Sequence, residues 1–298
     1  MQIHKVLRVV LLIIPLLGLV HTAGSGRQAT DDFAAFREKR MQLPARQEAA
    51  SPAAGRKHMF LGDGAEEVKV PAALLPGSPL SKDNTGQPVF SAAAVEAVMA
   101  KLGLEFRTAT IAGWDKEKEA LFFRKAYKVY APPRSVGGCN LVKEESFDLD
   151  GDGLAEKYAL EQGRLVVSGA AGLIWQTPQE WWVEDFALGD ASNDGRPDLN
   201  LSVWKEGSFG PYRPFWVAEE DRSVKNHLFI FNLVGGSFKP LWQSSNLARP
   251  NYRIALADIE GDGNSELLAL EGHYASPWLR QVNLWRWNGW GFTCLTGL

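Results

Sequence analysis

The stretch DLDGDGLAE, Asp148 to Glu156, places three carboxylates on alternate residues, threads two glycines between them and adds a fourth acid three residues after the last glycine. Carboxylates this close repel one another and raise the free energy of any compact conformation unless a positive charge sits among them. Two other stretches repeat the frame: DASNDGRPD, Asp190 to Asp198, and DIEGDGNSE, Asp258 to Glu266. Position one is Asp148, Asp190 or Asp258; position three is Asp150, Ser192 or Glu260; position five is Asp152, Asp194 or Asp262. Position six is Gly153, Gly195 or Gly263, and position nine is Glu156, Asp198 or Glu266. The side chains at positions one, three, five and nine all offer oxygen, which makes them candidate metal ligands.

Hard oxygen donors at alternate positions ahead of a glycine suit calcium, which takes about six to eight oxygens in a flexible geometry. Magnesium demands stricter octahedral geometry, and zinc calls for His or Cys, which these loops lack. An EF-hand starts the same way but needs a bidentate glutamate at position twelve, where this chain has Ala159, Leu201 or Ala269. Ser192 in place of an acid makes the second loop the weakest expected site.

Strands must position these loops. FALGD and IALAD lead into the second and third loops, and DLNLSVW and ELLALEG lead out, all with the alternation of half-buried strands. A third strand and a hairpin follow in HLFIFNLVGGSFKPLW and QVNLWRWNGWGFTCL, while KYALEQ, RLVVSG and LIWQT complete a shorter first unit. The pattern predicts three four-stranded units, roughly 146 to 178, 182 to 246 and 252 to 296. An insertion, WKEGSFGPYRPFWVAEEDRSVKN, lies between the second and third strands of the second unit. There Trp204, Tyr212, Arg213, Phe215 and Trp216 form a candidate ligand surface, a mixture suited to stacking on sugar rings or gripping a protein, although such aromatics also pack between sheets.

FALGDASNDGRPDLNLSVW and IALADIEGDGNSELLAL resemble the FG-GAP and VCBS repeats, the calcium-loop blades of integrin-α-like β-propellers. SFDLDGDGLAEKYAL keeps the loop with a poorer leading strand, and the likeness covers about 150 residues after Cys139. The resemblance implies a mainly β fold, a β-propeller-like array of four-stranded blades in which these loops hold calcium. Propellers typically close with about four to eight blades. Three units therefore need either a degenerate blade from the segment 104–139 or an open assembly.

Upstream, Lys5 and Arg8 precede the apolar run VVLLIIPLLGLV, so residues 1–26 read as a signal peptide or a retained membrane anchor. Residues 27–88, rich in Ala, Gly, Pro, Ser and charge, read as a flexible linker. In 89–138, Ser91 is placed to cap a helix whose apolar positions are Val95, Val98, Met99 and Leu102 and which Gly103 ends. The following KEALFFRKAYKVYAPP fits either a helix or a strand pair. Residues 139–298 form the β-repeat domain. Cys139 and Cys294 lie near its two ends, where they either pair or remain buried thiols.

A net charge of −3 with no basic stripe argues against nucleic acid as the main partner. The expectation is an exported, secreted, periplasmic or cell-surface calcium-binding module that binds an extracellular glycan or protein without catalysis. The competing expectation is a polysaccharide-active enzyme using acids such as Glu219 and Glu220 or the histidines His227 and His273. No nucleophile elbow, zinc-ligand helix or phosphate-cradling loop supports that alternative.

Overall fold

The computed structural model describes residues 25–42, 45–47, 66–71, 74–75, 90, 92–115, 120–131, 140–208, 215–219, 221–276 and 279–296. The expected signal or anchor run, the Ser91 cap and Cys139 lie outside them, as do Tyr212 and Arg213. No helix among the described residues is long and apolar enough to cross a membrane.

The chain is mainly β. Helix α1 (Ser25–Met41), strands β1 (Ala45–Gln47) and β2 (Glu66–Val68), helix α2 (Ala92–Lys101) and strands β3 (Glu105–Asp115) and β4 (Ala120–Ala131) come first. Three four-stranded antiparallel meanders follow. The first is β5 (Asn140–Phe147), β6 (Glu156–Glu161), β7 (Arg164–Gly169) and β8 (Gly172–Gln176). The second is β9 (Trp182–Gly189), β10 (Asp198–Glu206), β11 (Val224–Val234) and β12 (Ser237–Gln243). The third is β13 (Asn251–Ala257), β14 (Glu266–Glu271), β15 (Gln281–Trp287) and β16 (Phe292–Cys294).

These meanders are the three four-stranded units that the alternation predicts. The first unit opens earlier than expected, at Asn140, because NLVKEESF pairs along β6 despite its charged residues. Its β5 also carries β1 as a parallel neighbour. Between β6 and β7, Gln162 and Gly163 have φ of 50° and 70°. Positive φ at both residues of a two-residue turn matches the twist of a hairpin.

The sheets pack face to face. Leu141, Tyr158, Leu160, Leu165 and Val167 of the first meet Phe186, Leu199, Leu201, Val203 and Phe231 of the second. The second sheet's other face presents Ala187, Leu228 and Ile230 to Ile254, Leu256, Leu267 and Ala269 of the third. The third sheet's remaining face, including Ala255, Leu268, Leu270, Val282 and Leu284, packs on α2 through Val95, Val98, Met99 and Leu102. Covered on both sides, β14 is buried along its length, whereas β6, in a sheet covered on one side, alternates buried and exposed residues.

Two expectations upstream change. The stretch read as a linker contains α1, β1 and β2, because α1 finds partners on the sheets that its own composition does not advertise. Of the ambiguous KEALFFRKAYKVYAPP segment, Ala120–Ala131 is a strand: among the described residues β2, β4 and β3 form a three-stranded sheet, not a four-stranded blade. Helix α2 ends as predicted. Gly103 N–H donates to Ala100 O at 2.9 Å and Leu104 N–H to Met99 O at 2.9 Å, the paired bonds of a Schellman cap. The described residues form no closed ring of sheets.

Candidate metal centre and the surrounding surface

Each acidic loop joins the first strand of its meander to the second, and all three share one hydrogen-bond skeleton. The position-one carboxylate caps the turn. Asp148 accepts from Gly151 N at 2.8 Å and Gly153 N at 2.9 Å; Asp190 from Asp194 N at 3.2 Å and Gly195 N at 2.8 Å; Asp258 from Gly261 N, Asp262 N and Gly263 N at 2.6, 3.1 and 2.9 Å. The position-five carboxylate accepts from the amide two residues on: Leu154, Arg196 or Asn264, at 2.7, 2.9 and 2.9 Å.

Position nine reaches back across the turn. Glu156 Oε2 accepts from Leu149 N at 2.9 Å, Asp198 Oδ2 from Ala191 N at 3.1 Å and Glu266 Oε2 from Ile259 N at 3.3 Å. The donors are position-two residues, and Leu149, Ala191 and Ile259 are all buried. Positions four and six take positive φ in every loop: Gly151, Asn193 and Gly261 at 74°, 54° and 76°, and Gly153, Gly195 and Gly263 at 90°, 85° and 88°. The apolar plug at position two and the left-handed residue at position four are further parts of the frame, not among the oxygen-bearing positions named above. Both are visible in an alignment of the three stretches.

The loops differ where a cation would sit. In the first, one oxygen from each of Asp148, Asp150, Asp152 and Glu156 lies within 4.8 Å of the others. Glu156 is buried and Asp150 and Asp152 are exposed, so the cluster opens to solvent from a fixed base. Four hard oxygen donors fit calcium, which tolerates an open and irregular shell.

In the second loop, Ser192 removes one charge and both oxygens of Asp198 are engaged. Oδ2 accepts from Ala191 N and Ser192 N, each at 3.1 Å, and Oδ1 from Asn232 Nδ2 at 2.6 Å. Burial pushes the Asp198 carboxyl up to about 6, against the pull of the two amides. Asn193 is bonded to the third loop, its Oδ1 accepting from Ser265 N at 2.8 Å.

In the third loop a guanidinium stands beside two of the acids. Arg286 is ion-paired with Glu260 and lies 3.4 Å from Glu266 Oε1. Burial pushes the Glu266 carboxyl up, and the charge of Glu260 adds to the effect while the Ile259 amide and Arg286 oppose it. Asn264 holds the Asp262 carboxyl below its ordinary value through its amide and side chain.

Elsewhere the candidate surface divides. Phe215 and Trp216 are 94% and 73% exposed and meet edge to face, with ring centroids 4.8 Å apart. Trp204 is different: it is 5% exposed and packs among Trp182, Tyr252, Tyr274 and Phe36. It belongs to the core because β10 turns that side chain under α1, against Phe36.

His227 is buried, with Nδ1 3.1 Å from Ser244 O, while His273 is exposed. Cys294 is half-buried, with Sγ 3.7 Å from Thr296 Oγ1, and whether it pairs with Cys139, one of the two alternatives, lies outside the described residues.

No protein-family model matches the chain, and no curated protein shows significant sequence similarity to it.

Proposed function

We propose that the chain is an extracytoplasmic, calcium-stabilised β-repeat module that binds a glycan or protein partner and performs no chemistry of its own. The observation that carries the reading is the convergence of Asp148, Asp150, Asp152 and Glu156 within 4.8 Å on the turn between β5 and β6. An acidic cluster on a strand-to-strand turn repels itself when empty, so a divalent cation there favours the folded loop.

In this reading Asp148, Asp150, Asp152 and Glu156 hold the cation. Bound calcium supplies charge neutralisation and fixes β5 against β6. The second and third loops are relatives of that site, one reduced by Ser192 and engaged through Asp198, the other served by Arg286. The array is then a propeller-like assembly of the FG-GAP or VCBS kind. The exposed Phe215–Trp216 pair supplies apolar, stacking-competent area for the partner.

Thermal unfolding in calcium and in EDTA tests the reading. A site filled to about a hundred times its Kd stabilises the fold by about 2.7 kcal/mol, so the melt should rise by several degrees in calcium and the rise should vanish in Asp150→Asn. An identical melt in calcium and EDTA defeats the reading.

A further inference from the structure

A meander alternates its connections between two ends. The acidic loops share one end, so the connections from second to third strands and the starts of β9 and β13 share the other. At that second end Trp182 and Glu184 of β9, Trp204 of β10, Tyr252 of β13 and Tyr274 beyond β14 line one recess.

Helix α1 fills it. Phe33, Phe36, Arg37 and Arg40 recur at i, i+3, i+4 and i+7 and so share one helical face. The Phe36 ring lies 5.2 Å from that of Trp204, and the Arg40 guanidinium carbon lies 5.0 Å from the Trp204 centroid. Arg40 Nη1 is 2.7 Å from Glu184 Oε2, and Trp204 Nε1–H donates to the same oxygen at 3.0 Å. Arg37 Nη1 donates to Gln179 O at 3.2 Å.

Arg40 and Glu184 are only 4% and 2% exposed. A buried ion pair stabilises a fold no better than apolar side chains of similar volume, so pinning a helix does not require one. A carboxylate set against aromatic faces is instead the chemistry that recognises guanidinium, through charge and stacking together.

We propose that this end of the array is a recognition site for an arginine-bearing helical segment, and that α1 of the same chain occupies it as an intramolecular ligand. Only residues 42–44 separate α1 from β1, which is hydrogen-bonded to β5. A tether that short holds the helix at high effective concentration over the site. An external helix with an aromatic residue four positions ahead of an arginine, the Phe36 to Arg40 spacing, competes with α1 for Glu184 and Trp204. The inference is independent of whether the acidic loops hold metal, and its test is run in EDTA.

The probe is a fluorescein-labelled peptide of residues 30–42, titrated into three full-length proteins: the wild type, the double variant Phe36→Ala with Arg40→Ala, and that double variant with Glu184→Gln added. The double variant should bind the peptide at least about tenfold more tightly than the wild type, and Glu184→Gln should remove the gain. Hydrogen exchange should quicken in α1 of the double variant and stay unchanged in β9 and β10. Equal peptide binding by all three proteins, or no binding with the sheets intact, overturns the proposal. Loss of exchange protection in β9 and β10 together with α1 also overturns it, because the helix is then an inseparable part of the core. A wild-type dimer that dissociates on Arg40→Ala overturns the intramolecular assignment.

If the double variant does not fold, a protease site inserted between Gln42 and Ala45 of the otherwise unchanged chain gives the same test. The cut helix should exchange with labelled peptide, and a helix that never exchanges overturns the proposal.

Discussion

Asp185 on β9 and Arg253 on β13 meet across the second and third sheets, with Arg253 Nε 2.9 Å from Asp185 Oδ2 and both side chains buried. The same Oδ2 accepts from Ile254 N at 3.0 Å, while Lys143 Nζ of β5 lies 3.4 Å from Oδ1 and donates to Phe186 O at 2.7 Å. Lys143, Asp185 and Arg253 each stand five residues ahead of position one of their acidic loop. The first strands of all three sheets are therefore joined at equivalent points through one carboxylate. Burial alone would raise the Asp185 carboxyl, but Arg253, Lys143 and the Ile254 amide outweigh it and hold the group below its ordinary value.

Asp185→Asn removes the carboxylate that Arg253 and Lys143 share, leaving Lys143 with Glu145 at 3.0 Å and Arg253 with the Lys101 carbonyl at 3.1 Å. It should destabilise the protein by about 3 to 5 kcal/mol in urea unfolding. A loss under about 1 kcal/mol would mean that the sheets do not depend on this link.

Arg286 pairs with Glu260 and lies 3.4 Å from Glu266 Oε1, so under the proposed reading it stands in for a cation in the third loop. Arg286→Gln should therefore open the third loop to calcium as a second site, while lowering metal-free stability by only about 1 kcal/mol because the pair is partly exposed. Calcium stoichiometry in equilibrium dialysis checks this; an unchanged stoichiometry counts against it.

Two glycines with positive φ should respond differently to alanine. At Gly163 (φ +70°) a Cβ would stand 2.2 Å from Trp182 Cδ2, inside the core, and Gly163→Ala should cost about 3 kcal/mol or more. At Gly153 (φ +90°) a Cβ meets nothing within 4 Å, so only backbone strain applies and Gly153→Ala should cost about 1 kcal/mol. Paired denaturation curves with equal losses would contradict the packing of Trp182 on this turn.

His227 supplies a pH signature. Burial, with the charge of Lys205, pushes its imidazole down to about 4 from an ordinary 6.5. Between those values the unfolded chain holds a proton that the folded chain lacks, so stability is lost as pH falls from 6.5 toward 4. At about 1.4 kcal/mol per unit the full effect is about 3 kcal/mol. The comparison with His227→Gln isolates it from Asp198 and Glu266, whose raised carboxyls act in the opposite sense over acidic pH. The wild-type free energy of unfolding should fall relative to the variant across that window, and a constant difference would refute the assignment.

The strands after Cys139 were legible because alternation and turn residues mark them locally, as in RLVVSG, which is β7 in its entirety. The acidic frame was legible for the same reason, since its caps act within nine residues. What stayed hidden depends on contacts distant in sequence. Arg286 lies twenty-six residues from Glu260, and nothing near it announces an ion pair. Helix α1 carries only two aromatic residues among polar ones, and its docking face acquires meaning only against Trp204 and Glu184. Trp204, beside the aromatic insertion in sequence, fits a ligand surface or a packed core equally by its neighbours, and only its place on β10 under α1 shows that it is buried.

The central claim is that the first acidic loop cages a divalent cation while Arg286 serves the third. Isothermal titration of calcium into the metal-free full chain tests it most directly. The account predicts one dominant site, lost in Asp148→Asn and Asp152→Asn and unaffected by Asp258→Asn; absence of binding heat at about millimolar calcium with no change in melting, or dominant binding lost only in Asp258→Asn, would contradict it.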